Sequence, residues 1–358
     1  MTIYLLRLNL DIKERNFRDQ LRFKLAAGSL KSLSKRANKV IILSHLGRPK
    51  GRTKSLSLKR FSPALGAASG KKITFIPHFN FPKIKDEIER APGGSVFLLE
   101  NLRFLPGEKK NSKTLAKQLA NLGNYYINND FADSHRADAS ISAITEFLPS
   151  KPGPILKKET QALTKVRTNP RHPFVLIIGG AKLADKILFA KYLLPKADYA
   201  LVGGGPANNF LKLNKVNIGS SINEPKLAQT TKLLSRSKKI IIPVDWKKEG
   251  NKILDIGPKT IKLYSEIISG AQTIIWNGPM GYFENKKFAT GTVGIAKAIL
   301  KNKKAKTVIG GGETIAALPL KINKQEYGNL FISTGGGAML EFLAGKKLPG
   351  ITALKKKR

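Results

Sequence analysis

The sequence predicts an α/β protein of two domains built on parallel sheets, and three observations predict it. Its 358 residues are about twice the roughly 150 of a typical domain. Short β-branched runs alternate with stretches of helical period along the whole chain, as strands joined by crossover helices do. A cluster of Pro and Gly at 149–154, reading PSKPGP, divides these alternations into two series.

In the first series the strand candidates are 3–10, 40–43, 73–76, 96–99 and 125–127, with a helical stretch at 113–120. After the Pro/Gly cluster, 157–166 reads as a connecting helix. The second series places strands at 174–178, 200–202, 239–243, 273–276, 307–309 and 330–333, with a helix at 284–300.

Composition removes several classes of function. There is no Cys, which excludes disulfides, thiolate nucleophiles and Cys-based metal sites, and the four His stand singly without ligand spacing. The longest apolar runs are strand-length, far below the roughly 20 residues of a spanning helix, so no membrane role is expected. The N-terminus lacks a small-residue cleavage site, so no cleaved leader and a cytoplasmic location are expected. The formal charge of +40 attracts anions. Much of it is Lys on solvated stretches such as 301–306, and no aromatic-interleaved basic strand occurs, so specific nucleic-acid recognition is not expected.

Five strands of the second series run straight into Gly: LIIGGAK, ALVGGG, IIWNGP, TVIGGGET and FISTGGGA. In an open parallel sheet the ligand crevice lies beyond the carboxyl ends of the strands, where Gly lets backbone amides approach an anion. Neither the dinucleotide fingerprint nor the Walker loop is present. Instead Lys182 and Lys186, four apart at a helix start, put two ammonium groups on one face, suited to a nucleotide polyphosphate. Glu313 follows Gly310–Gly312 at another helix start, where a carboxylate can hold Mg²⁺ against phosphates.

The first series carries Arg22, His45 and Arg48 in SHLGRP, Arg103 in LENLRF, and His135 with Arg136 in HRADAS. Arg dominates these turns in a Lys-rich chain. Its planar fork suits a small, rigid, doubly anionic ligand.

The motifs SHLGRP, LENLRF, HRADAS, GGAKLADK, DIGPKT, WNGPMGYFE, GGGET and STGGGA, in this order over nearly the whole chain, resemble the phosphoglycerate kinase family. The resemblance implies two Rossmann-like parallel-sheet domains joined by a hinge helix: 1–150 for phosphoglycerate, 151–166 as linker, 167–339 for nucleotide, and 340–358 returning to the first domain. It implies a monomer that transfers a phosphoryl group between 1,3-bisphosphoglycerate and ADP, giving 3-phosphoglycerate and ATP, in line and after domain closure.

By the same resemblance, Asn9, Asp11, Arg22, His45, Arg48, Arg103 and Arg136 bind the phosphoglycerate. Arg22, Lys182, Gly312 and Gly335 serve the transferring phosphoryl. Lys186, Asn277, Gly311, Gly312, Thr314, Gly336 and Gly337 meet the nucleotide phosphates, Glu284 the ribose, and Gly204 and Gly205 the adenine pocket. Glu313 takes the Mg²⁺. The chain departs from the family at RLNLD, where Asn9 and Asp11 stand exchanged relative to R-V-D-F-N, at Lys13 in place of Pro, and at Pro206 in place of Met. The stretch 245–255 is shortened and reads as a trimmed surface region. A family member with altered activity that still binds nucleotide, and a basic nucleic-acid-binding protein, are the alternatives.

Overall fold

The computed structural model describes residues 1–12, 16–17, 20–34, 38–318 and 325–355; Lys13 and the last three residues of 340–358 lie outside them. The chain divides into two units. One holds residues 1–160 with the stretch from Lys347, and the other runs from Gln161 to Lys346.

The first unit contains β1 (Thr2–Arg7), α1 (Leu21–Leu33), β2 (Asn38–Leu43), α2 (Phe61–Ser69), β3 (Ile73–Ile76), α3 (Phe81–Arg90), β4 (Val96–Leu99), α4 (Pro106–Lys109), α5 (Lys113–Ala120), β5 (Tyr125–Asn128) and β6 (Ser150–Pro152). Its sheet runs β3-β4-β2-β1-β5-β6, and every pairing is parallel. Both faces of such a sheet are covered, which is why these strands read as continuous apolar runs. Leu5, Ile41, Leu43, Phe97 and Leu99 pack to one side, and Leu6, Val40, Ile42, Val96 and Leu98 to the other. The observed β1 ends at Arg7 rather than running to residue 10: the Leu8 N–H donates to Leu43 O at the end of β2, but the Leu10 N–H donates to the Ser44 side-chain hydroxyl instead of a strand carbonyl.

α6 (Pro154–Thr168) follows. Its start is fixed by Asn129, just past β5, whose Oδ1 accepts the Ile155 N–H at 2.7 Å. A Cβ on Gly153 would come within 2.4 Å of the same oxygen, so the close approach requires Gly there.

The second unit continues with β7 (Phe174–Ile178), α7 (Ile187–Leu193), β8 (Tyr199–Val202), α8 (Gly204–Leu213), α9 (Ala228–Ser235), β9 (Ile240–Ile241), β10 (Trp246–Glu249), β11 (Lys252–Ile256), α10 (Pro258–Gly270), β12 (Thr273–Asn277), α11 (Thr290–Lys301), β13 (Lys306–Gly310), α12 (Gly312–Ala316), β14 (Glu326–Tyr327), β15 (Leu330–Ile332) and α13 (Gly337–Leu343). The sheet order is β14-β15-β13-β12-β7-β8-β9, parallel except for β14. Pro206 sits in the first turn of α8, where its missing N–H has no intrahelical acceptor to lose.

The stretch from Lys347 forms α14 (Pro349–Thr352) against the first unit, where the Gly350 N–H donates to Ser134 O at 2.9 Å and Asn128 Nδ2 donates to Gly350 O at 3.2 Å. α13, which includes Leu340, belongs to the second unit. Among the described residues no helix is long and apolar enough to cross a membrane.

Candidate active site

In the first unit, β4, β2, β1 and β5 are consecutive in the sheet, so the turns at their carboxyl ends meet. At their centre is Arg7, fully buried at the end of β1. Its guanidinium pairs with Asp130 Oδ2 at 3.1 Å, and donates to His45 Nδ1 at 2.7 Å, Ser140 Oγ at 3.1 Å and the Leu8 carbonyl. Ser140 in turn donates to Glu108, a buried carboxyl whose pKa burial pushes up.

Arginine only donates, so His45 Nδ1 accepts and the proton of the neutral ring sits on Nε2. Burial holds the imidazole below its ordinary pKa against the opposing pull of Asp133 and Asp11. Nε2 therefore presents a neutral donor. It lies 3.5 Å from Asp133 Oδ2 and 3.7 Å from Asp11 Oδ2, beyond hydrogen-bond range.

The Asn9/Asp11 exchange is matched by partners. Asn9 Nδ2 donates to Asp133 Oδ2 at 2.5 Å and Asp130 Oδ1 at 3.2 Å, where a carboxylate would face two others. Asp11 Oδ1 accepts the Gly47 N–H at 2.8 Å. The Asp11 pKa is lowered well below the carboxylate range: although burial pushes it up, the N–H dipole of the facing His45 ring, the Gly47 amide and the Arg103 charge outweigh that.

Arg103 is buried, donating to Gly47 O at 2.8 Å and lying 3.5 Å from Asp138 and 3.7 Å from Asp133. Arg136 Nε is 3.3 Å from Asp133. Arg22 is half-buried and reaches the Asp11 carbonyl at 3.4 Å; Arg48 is exposed. The structure thus gathers Asn9, Asp11, His45, Arg103 and Arg136 around one cluster. Sequence reasoning missed Arg7, Asp130, Asp133 and Glu108 in it. The three Asp of NDFADSHRAD beside the His-Arg pair were the available signal.

In the second unit, the five Gly-rich turns follow β15, β13, β12, β7 and β8, which are consecutive in the sheet. They divide into two kinds. The amides of Gly179, Gly180, Gly203, Gly204 and Gly205 all donate to backbone carbonyls of neighbouring strands or turns at 2.7 to 3.0 Å. They tie the turns together and are not free to face an anion, contrary to the expectation that all five turns converge on one. Gly205 is held so close that a Cβ would lie 1.9 Å from Ala181 O. By contrast, the amides of Gly312 and Gly337, which open α12 and α13 as Gly204 opens α8, make no such bond to a neighbouring turn among the described residues, and first-turn amides have no intrahelical acceptor.

Two cavities lie at this edge. One of about 500 Å³ is bordered by Lys186, Asn277, Gly311, Gly312, Thr314, Gly336 and Gly337. The other, of about 430 Å³, is bordered by Gly204, Gly205, Glu284 and apolar residues such as Leu211, Pro279 and Met280. Glu313 borders both. A cavity bordered by Gly amides, Lys186, Asn277 and Thr314 beside an apolar slot matches the two ends of a nucleotide. Lys182 and Gly335 border neither cavity: Lys182 is exposed with its carbonyl 3.4 Å from Lys186 Nζ, and the Gly335 N–H donates to Ser333 Oγ at 3.3 Å. The Thr314 hydroxyl accepts the Gly278 N–H at 2.7 Å.

Trp246, Ile253 and Leu254 also border the apolar cavity. The shortened stretch 245–255, expected as trimmed surface, is instead the β10–β11 hairpin that walls it. Asp255 at the hairpin's end accepts from Gly291 N at 2.7 Å, Ile256 N at 2.9 Å and Thr290 Oγ1 at 3.0 Å, fixing the start of α11. Burial pushes its pKa up to about 6, despite these donors. With the folded pKa above the unfolded one, the native state binds the extra proton, so this group's stabilisation is fully present below about pH 4 and is lost as pH rises towards 6. Urea unfolding at pH 4, 5, 6 and 7 is expected to show a downward slope that Asp255→Asn flattens; an identical slope in the variant would refute it.

Comparison with known proteins agrees with this architecture. A family model described as Phosphoglycerate kinase matches residues 4–346. A phosphoglycerate kinase of Thermosipho africanus is 40% identical over 378 residues, covering 98% of this chain and 94% of that protein. One of Pseudothermotoga lettingae is 41% identical over 372 residues, covering 97% and 93%. Among solved structures, phosphoglycerate kinase from Coxiella burnetii superposes with a TM-score of 0.83 at 32% identity, covering 99% of this chain and 96% of that one. The Pyrococcus horikoshii enzyme gives 0.85 at 29% with the same coverage. Neither alternative raised by the sequence finds support in these matches.

Proposed function

Because the chain belongs to the phosphoglycerate kinase family, and catalyses reversible phosphoryl transfer from 1,3-bisphosphoglycerate to ADP giving 3-phosphoglycerate and ATP, we propose how its residues divide that work. The acceptor in the reverse direction is a carboxylate, ionised at pH 7, so transfer needs no general base; positioning and charge neutralisation carry it. Arg22, Arg48, Arg103 and Arg136 hold the phosphoglycerate's anionic oxygens, and His45 donates from Nε2. Asn9 and Asp11 act at one remove, orienting the carboxylates and the Gly47 turn that frame these cations.

On the nucleotide side, Gly204 and Gly205 border the base and Glu284 the ribose. Lys186, Asn277 and the amides of Gly311, Gly312, Gly336 and Gly337 meet the phosphates, with Thr314 holding the Gly278 turn in place. Lys182 and Arg22 neutralise the transferring phosphoryl, assisted by Gly312 and the Gly335 turn. The family uses nucleotide with Mg²⁺, and the donor set fits: Glu313 offers one hard oxygen ligand where both cavities meet, and Mg²⁺ takes one or two carboxylates plus phosphates and water. Bound there, the ion would shield phosphate charge.

The observation that carries this division is the pairing of a cavity bordered by Lys186, Asn277 and Gly amides with an apolar slot at one sheet edge, sharing Glu313. We assign 167–339 to nucleotide on the same grounds, 1–150 to phosphoglycerate on the cluster of Arg and His in the first unit, and 151–166 to the linker between them. We further propose a cytoplasmic monomer with no specific nucleic-acid partner, as the resemblance to the family implies. A coupled turnover assay with ATP, Mg²⁺ and 3-phosphoglycerate tests the least enclosed member: Lys182→Ala is expected to lose roughly 100-fold or more in kcat, the scale of one transition-state charge contact. Unchanged turnover in that variant would remove Lys182 from the phosphoryl site.

A further inference from the structure

Four residues that the sequence assigns to the substrate converge on a fifth that it does not. Asn9 Nδ2 lies 2.5 Å from Asp133, Arg136 Nε 3.3 Å, His45 Nε2 3.5 Å and Arg103 Nη2 3.7 Å. Asp133 is only 4% exposed. These four present N–H groups, three of them cationic or imidazole, and a substrate phosphate or carboxylate is the anion they are read as binding. The chain itself supplies one such anion.

We propose that Asp133 is an internal anion of the phosphoglycerate half-site, which competes with the substrate's anionic group for Arg103, Arg136 and the His45 Nε2 proton and thereby sets the affinity for phosphoglycerate. This rests on the reading of those residues as substrate contacts. Two features favour competition over simple scaffolding. Arg103 already has a second carboxylate, Asp138 at 3.5 Å, and an acceptor in Gly47 O at 2.8 Å, so its guanidinium is oriented without Asp133. His45 Nε2 lies 3.5 Å from Asp133 and 3.7 Å from Asp11, too distant to bond either, leaving a donor that a closer oxygen would satisfy better. An entering anion would take over the donors and leave Asp133 with Asn9, from which it already accepts its shortest bond.

The test is steady-state kinetics on Asp133→Asn, which keeps the shape and one acceptor oxygen and deletes the charge. The KM for 3-phosphoglycerate is expected to fall at least about tenfold, and up to about a thousandfold for unit charges about 4 Å apart at an effective dielectric near 20, while that for ATP stays within about twofold. A KM for 3-phosphoglycerate that is unchanged or raised in a folded variant overturns the proposal and leaves Asp133 a positioning residue. Should Asp133→Asn not fold, Asp133→Glu decides: it drives the carboxylate further among the arginines and must raise that KM, and no change overturns the proposal. Arg103→Met and Arg136→Met separate the two levels. If neither raises the KM for 3-phosphoglycerate, the substrate assignment itself fails, whatever Asp133 does.

Discussion

Arg7→Met is expected to destabilise the protein by about 3–5 kcal/mol, the scale seen when one partner of a buried ion pair is removed. The guanidinium has no exposed surface and holds Asp130, His45 and Ser140 together. Methionine fills much of the same volume, so the loss is of charge and hydrogen bonds rather than packing. Asp130, fully buried, is then left beside Asp133 without its counter-ion. Burial first, and Asp133 second, already push its pKa up to about 7, and removal of Arg7 pushes it higher. A raised folded pKa means the native state holds the proton, so stability is lost as pH rises through that value. The deficit should therefore be larger at pH 8 than at pH 6. Arg7→Lys is expected to recover only part of it, since one ammonium cannot span Asp130, His45 and Ser140. Guanidinium unfolding at both pH values reads this out; equal midpoints for wild type and Arg7→Met would show that the pair contributes nothing net.

The contrast between Arg7 and the motif residues explains how much the sequence conveyed. SHLGRP, LENLRF and GGGET announce themselves because their chemistry is local to a turn, and the strands before them are apolar runs buried on both faces, such as Phe174–Ile178. Arg7 looks like a charge at a strand end until β1 is paired with β5, which brings Asp130 and Ser140, more than 120 residues away, against it. The same holds for Asp133, which only the convergence of three turns identifies. Hairpin β10–β11 escaped because its strands, Trp246–Glu249 and Lys252–Ile256, are half polar. The helix expected over 284–300 begins only at Thr290, where Asp255, distant in sequence, receives the Gly291 amide. Gly was the most ambiguous letter. Gly205 and Gly312 read alike in sequence and both stand in the first turn of a helix, yet among the described residues only the Gly205 amide closes a contact to a neighbouring turn, Gly180 O at 2.8 Å.

Lys186→Met is expected to cost about 10²- to 10³-fold in turnover, the scale of losing one preorganised donor at a site of charge transfer, with folding undiminished. Lys186 is 8% exposed. Its ammonium reaches only the Lys182 carbonyl, at 3.4 Å, among the described residues. Burial lowers its pKa, more than Asp185, Glu313 and Glu224 raise it. A buried cation without a close ion pair weakens a fold, so its presence calls for a ligand that repays the desolvation, and a nucleotide phosphate in the adjoining cavity is that ligand. The surroundings are shaped to this side chain: a Cβ on Gly180 would stand 3.2 Å from Nζ, so the glycine leaves the ammonium its place. Methionine keeps the apolar stem and removes the desolvated charge, so the midpoint of thermal unfolding should stay level or rise. ATP should protect the wild type against unfolding and the variant much less. Activity falling in step with stability would instead mark Lys186 as a packing residue, because a phosphate-binding role separates the two: turnover and ATP protection go, and the fold stays.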